Sequence, residues 1–208
     1  HLDGSVRLQT ILDLARQHHL KLPADTLEGL RPHVQVTQPV VGVMAFIDKF
    51  GWMQQVMVDA DAVRRIAYEN VADAAAENID AIELRFSPLF MAEKHNLNPA
   101  LVVRAVCEGV AQASADFRVR VGLIGILSRQ YGVEGAWDEL RAILRGRGPA
   151  VVAVDLAGDE INYPAHLFRE HFGRVRDAGL HVTIHAGELP ADSRHAALGV
   201  ENLWSAVR

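Results

Sequence analysis

The stretch His181-Val182-Thr183-Ile184-His185-Ala186-Gly187-Glu188 decides how the chain is read. Val182, Thr183 and Ile184 are β-branched and suit a short strand. Apolar character then stops, and an imidazole, a glycine and a carboxylate follow. A parallel strand that delivers polar groups at its C-terminal end is where α/β proteins place their chemistry. His185 is able to ligate zinc through a neutral ring nitrogen. Glu188 lies past the strand end, beside whatever the histidine holds. Gly187 lets the backbone turn tightly and leaves room for a ligand near the main chain. A strand that simply ends in polar residues is the plainer reading of the same segment.

Outward from this stretch, three more strand-like runs occur at 81–86, 119–127 and 150–156. They alternate with helical patterns at 98–116, 133–145 and 164–178, and a last helix is expected at 199–207. The N-terminal third is helical, with segments at 5–19, 43–57 and 60–78, and Asp59 is a natural N-cap for the last of these. Such βα repetition predicts a parallel sheet with right-handed crossovers. Strands this apolar fit a barrel or a sheet covered on both faces. Their ends are Ser87, Ser128-Arg129, Gly158-Asp159-Glu160, and His185 with Glu188, all on one face of a parallel sheet. No Gly-x-Gly-x-x-Gly follows a strand and no Walker loop is present, which disfavours nucleotide-cofactor sheets. The expected fold class is α/β: a partial (β/α)8 TIM barrel with about four to five of its eight strands, as one domain over 1–208.

Composition is that of a globular protein, with half the residues hydrophobic and 23% charged. A net charge of −5 without a basic stripe argues against nucleic acid as a partner. Cys107 is the only cysteine, which excludes an internal disulfide framework and fits a reducing, cytoplasmic setting. No apolar run approaches the roughly 18–20 residues of a membrane span, so no membrane role is expected. The chain opens on His1 and closes on a helical run ending at Arg208, and the expectation is an internal piece of a longer protein.

Of the ten histidines, His185 and His1 carry the functional case. His18, His19, His33, His95, His166, His171, His181 and His195 are assigned to structural or surface roles. His1 and Asp3 gain weight if they enter the same mouth as His185; a plain helix cap remains open for Asp3. If the His1–Gly4 stretch is a strand end, two histidines from different strands with a nearby carboxylate form part of a zinc or iron site of the amidohydrolase kind. A catalytic zinc usually keeps three protein ligands and an open water position, so further ligands are required.

Four motifs occur in order: His1-Leu2-Asp3-Gly4, Glu83-Leu84-Arg85-Phe86-Ser87-Pro88, Asp155-Leu156-Ala157-Gly158-Asp159-Glu160 and His185-Ala186-Gly187-Glu188. Together they resemble the adenosine deaminase family, its bacterial members in particular. The resemblance implies a metal-dependent hydrolase (amidohydrolase) barrel with one zinc ion per active site, which hydrolyses adenosine to inosine and ammonia in purine salvage. It makes His1 and His185 zinc ligands, with His1 also beside the substrate. It makes Asp3 the ribose contact and Gly158 the glycine whose backbone meets the purine. Glu188 becomes the proton donor to the purine ring, and Phe46 and Phe50 line the nucleoside pocket. For Phe46 and Phe50 a core role is equally consistent with aromatics four apart on one helix face. The first histidine of the family's His-x-His pair, a later histidine and an aspartate ligand do not match any residue here. The link 189–198 is longer than the family pattern. The implied partner is a small nucleoside, with a monomer favoured for the full-length protein. Two alternatives remain: a deaminase of adenine or a modified adenine nucleoside, and a catalytically dead barrel kept as a binding module. The 208 residues by themselves are expected to be inactive.

Overall fold

The structure is a computed structural model and describes residues 1–39, 49–188 and 196–207. At its centre is a parallel sheet in the order β1 (Ala81–Phe86), β2 (Arg120–Ser128), β3 (Val151–Ala157) and β4 (His181–Val182). Helices before it are α1 (Leu8–Gln17), α2 (Leu27–Val34), α3 (Phe50–Gln55) and α4 (Ala60–Ala76). Then follow α5 (Pro88–Glu93), α6 (Pro99–Phe117), α7 (Gly132–Gly146), α8 (Arg169–Asp177) and α9 (Ala196–Val207). Sequential strands pair in order through helical crossovers, which is the βα repeat the hydrophobic pattern implied.

The strands have two unlike faces. Leu84 and Phe86 of β1, Leu123 and Leu127 of β2, and Val154 and Leu156 of β3 are buried in the hydrophobic core. Their neighbours face the other way: Glu83 is opposite Gly122, Arg85 opposite Ile124, and Asp155 opposite Ile126. The expectation of strands apolar on both faces therefore needs correcting, because the inner face carries Glu83, Arg85, Asp155 and Thr183. A barrel interior near its working end tolerates polar groups when they partner one another.

Several boundaries differ from the sequence expectation for identifiable reasons. A short helix, α5, follows β1 directly: Ser87 Oγ caps Phe90 N at 3.2 Å and Pro88 takes the first turn. The first helix starts at Leu8 rather than near Ser5, because residues Leu2–Gly4 form a 3₁₀ turn. Asn70 Nδ2 reaches the carbonyls of Leu2 and Ser5 and holds that turn against α4. Asp59 caps α4 as expected, accepting from Ala62 N at 2.8 Å. The ladder assignment of β4 covers only two residues, but its pairing continues further. Thr183 N donates to Val154 O at 3.0 Å and His185 N to Leu156 O at 2.9 Å. Among the described residues β4 is an edge, with β3 its neighbour on one side. The expected helix 43–57 is seen from Phe50; Phe46 and the rest of that segment up to residue 48 lie outside the described residues.

Candidate active site

His1 and His185 come from opposite flanks of the sheet and meet. Their Nε2 atoms are 3.3 Å apart and the rings stand edge to face at 64°. In a flat sheet, β1 and β4 would be about 14 Å apart across three strand gaps. The contact fits an arc of a barrel whose side chains converge inward. The separation also suits a shared metal. Two nitrogens bound to one tetrahedral zinc at about 2.0–2.1 Å would be about 3.3 Å from each other. Among the described residues no group of three or more His, Cys, Asp or Glu side chains converges to hold a metal. The described part thus offers a pair of ligands, which fit the ion but do not complete its shell.

Asp155 lies directly behind His185. Its Oδ2 is 2.7 Å from His185 Nδ1 and 3.3 Å from Arg85 Nε, and it is fully buried. Neither nitrogen is aligned for a good hydrogen bond, so these are ion contacts by distance. The other oxygen, Oδ1, accepts from Thr183 Oγ1 at 2.8 Å. Asp155 pulls the proton affinity of His185 upward, against the opposing effect of burial. A carboxylate on Nδ1 fixes the ring so that Nε2 is the outward ligand atom.

Asp3 is buried, and its Oδ2 accepts from Ser87 N at 2.9 Å. Among the described residues Oδ1 has no hydrogen-bond partner, and it lies 3.9 Å from His1 Nδ1. Burial pushes the Asp3 carboxyl up to about 6, and the Ser87 bond works in the opposite direction. Asp3 is therefore not a helix cap but a carboxyl docked on the end of β1. Ser87 Oγ in turn donates to Glu139 Oε1 at 2.7 Å, and Ser128 Oγ reaches the same oxygen at 3.1 Å. Glu139 ties the ends of β1 and β2 together from α7, and burial pushes its carboxyl up to about 7.

Gly158 and Gly187 both adopt left-handed backbones, with φ of 98° and 83°. A Cβ on Gly158 would run into the Gln130 side chain, and one on Gly187 would press on Leu203 at 3.3 Å. Glycine is needed at both turns. The Glu188 side chain is exposed rather than enclosed, so the dry pocket that a proton donor requires is not formed by the described residues. Arg129, 1% exposed, donates to His185 O at 2.8 Å and underpins the same loop. Phe50 packs on Gly4, next to Asp3, and stacks edge to face with Phe90. Phe46 and residues 189–195 of the long link lie outside the described residues.

Of the histidines given a structural or surface role, His171 takes the structural one: it is 1% accessible, stacked on Trp137 at 3.9 Å, and bonded to Val133 O at 3.0 Å. Burial lowers its proton affinity, as suits a neutral core imidazole. Sequence reasoning gave no role to Asp155, Arg129 or Glu160. The signal for Asp155 was there: a charged residue inside an otherwise apolar strand is rarely buried without a partner.

Curated adenosine deaminases from Edwardsiella ictaluri and Shewanella loihica are each 50% identical over all 208 residues. The chain spans 60% of the length of these relatives. Among solved structures, the adenine deaminase of Arthrobacter aurescens superposes with a TM-score of 0.80 at 22% identity, over 96% of this chain and 60% of its own. An amidohydrolase from Burkholderia ambifaria with bound zinc gives 0.74 at 23% identity, over 96% of this chain and 54% of its own. The N6-methyl-AMP deaminase of Arabidopsis gives 0.74 at 27% identity, over 95% and 60%. These likenesses identify the sheet as part of a deaminase-type TIM barrel. The family model for adenosine deaminase matches residues 1–200, and the chain belongs to the adenosine deaminase family.

Proposed function

We propose that the complete protein deaminates adenosine, and 2′-deoxyadenosine with it, adding water and releasing inosine or deoxyinosine and ammonia. The observation that carries this reading is the 3.3 Å approach of His1 and His185 at the carboxyl ends of the strands, in a member of this family. Residues 1–208 form part of a single barrel domain. The setting is purine salvage in the cytoplasm, with a small nucleoside and neither nucleic acid nor membrane as partner, and a monomer is favoured. Among the described residues no helix is long and apolar enough to cross a membrane.

His1 and His185 would hold one zinc ion, with further ligands from other residues. When bound, zinc supplies Lewis-acid activation of a water molecule. This chain's residues do the rest. Asp155 keeps His185 Nε2 turned toward His1. Asp3 Oδ1, buried and unpartnered, is suited to accept from a ribose hydroxyl. The backbone of Gly158 admits the edge of the purine because no side chain stands there. Phe50, packed on Gly4 beside Asp3, flanks the base. Glu188 delivers a proton to the ring nitrogen beside the reacting carbon, which makes that carbon electrophilic.

The test is ultraviolet conversion of adenosine, adenine and N6-methyl-AMP by the longest natural chain carrying this sequence, loaded with zinc. Rapid turnover of adenosine is expected. The 27% identity to the Arabidopsis enzyme favours modified adenine nucleotides as a second reading, which turnover of N6-methyl-AMP in place of adenosine would support. Full zinc occupancy with no turnover of any of the three would make the barrel a binding module.

A further inference from the structure

Glu160 follows β3, is 4% exposed, and has no part in the scheme above. Its carboxylate faces the loop that carries Glu188. Oε2 accepts from Gly187 N at 2.9 Å and Oε1 from Glu188 N at 2.5 Å. Asn202, on α9 and 3% exposed, donates its amide to Glu160 O at 3.1 Å and to Oε2 at 3.3 Å. One buried side chain thus grips two consecutive backbone amides and is itself held by a helix. The left-handed Gly187, at φ 83°, turns these amides to the same side, which makes a small anion-binding concavity. A carboxylate has acceptors only, so both of its oxygens can serve N–H donors, and charge-assisted bonds of this kind are about twice as strong as neutral ones. A glutamine would turn an NH2 group against one of the amides.

We propose that Glu160 is a positioning residue that acts through Glu188, clamping the Gly187–Glu188 backbone so that the Glu188 side chain stands at a fixed place beside the His1–His185 pair. This rests on the reading of Glu188 as proton donor. Other contacts of the loop fit the same role: Arg129 holds His185 O from beneath, and Leu203 packs on Gly187. Glu160 therefore joins the end of β3, the end of β4 and α9 at one point.

Two measurements test it on the longest natural chain carrying this sequence, loaded with zinc. The first is hydrogen exchange at the Gly187 and Glu188 amides. In Glu160→Gln these amides are expected to exchange at least about tenfold faster, while those of β2 and β3 keep their protection. Glu160→Asp, too short to reach both amides, should show the same change to a smaller degree and serves if Glu160→Gln does not fold. The second is a double-mutant cycle in kcat. Glu160→Gln should lower kcat about tenfold or more with KM within about twofold. Combined with Glu188→Gln, it should cost nothing beyond Glu188→Gln by itself. Unchanged exchange in both Glu160 variants, or additive losses in the cycle, would overturn the proposal. If the wild-type chain binds zinc but turns over no adenosine, the proton-donor reading fails, and the exchange result decides whether Glu160 clamps the loop.

Discussion

At the scale of single residues, the site depends on how His185 is oriented. Asp155 is fully buried and lies 2.7 Å from Nδ1. Asp155→Asn removes the charge but keeps the size. Zinc affinity is expected to fall about 10–100-fold, read by competition with a chelator, with the far-ultraviolet circular dichroism unchanged. Gly187→Ala probes the backbone instead. Alanine at φ 83° is strained and its Cβ meets Leu203, so the loop must shift. A shift of this kind is expected to reduce kcat about 10–100-fold in the zinc-loaded protein, by steady-state assay. His185, Gly187 and Glu188 were legible in the sequence because ligand, turn and acid types lie within four positions of a strand end. Asp155 and Glu160 were legible only as members of a motif. Their function is to hold other residues across the sheet, and a linear pattern contains no cross-strand contacts.

At the scale of elements, α7 holds the ends of β1 and β2 through one carboxyl. Glu139 accepts from both serines, and burial raises its carboxyl from 4.5 to about 7. The folded value lies above the unfolded one, so the native state keeps a proton that the unfolded chain has lost. Stability from this group is full below about 4.5 and is lost as the pH rises through about 7, by an amount on the order of 3 kcal/mol. Glu139→Gln cannot ionise and should flatten this part of the profile, as measured by denaturant unfolding at pH 4.5, 6 and 7.5. An identical slope in both proteins would rule out a shifted Glu139. The strand and helix order was readable from periodicity, capping residues and prolines. The short helix α5 was not, since six residues give too little periodicity, although Ser87 and Pro88 marked its start. The two unlike faces of the strands were also hidden, because Glu83, Arg85 and Asp155 are separated among apolar neighbours.

At the scale of the whole molecule, the described part is an arc of a barrel. β4 is an edge among the described residues, and α9 exposes Val200, Leu203, Trp204 and Val207 at 50–74%. Exposed strand edges and apolar helix faces promote association. The isolated 208-residue chain is expected to self-associate with rising concentration, as followed by light scattering, and to bind zinc weakly. Tight stoichiometric zinc on this piece would contradict a site that draws further ligands from elsewhere. The barrel class was readable from four strand ends gathered on one face, and the family from four motifs in order. The closeness of His1 to His185 was readable only through the family resemblance, because 184 positions separate them and the curvature of the sheet brings them together.

As proposed, His1 and His185 belong to one metal centre that deaminates adenosine in the complete protein. Its most direct test is the conversion of adenosine to inosine by the longest natural chain carrying this sequence, before and after chelation, with His185→Ala in parallel. Turnover is expected that chelation abolishes and added zinc restores, with none from His185→Ala. Turnover that survives both the chelator and His185→Ala would contradict it.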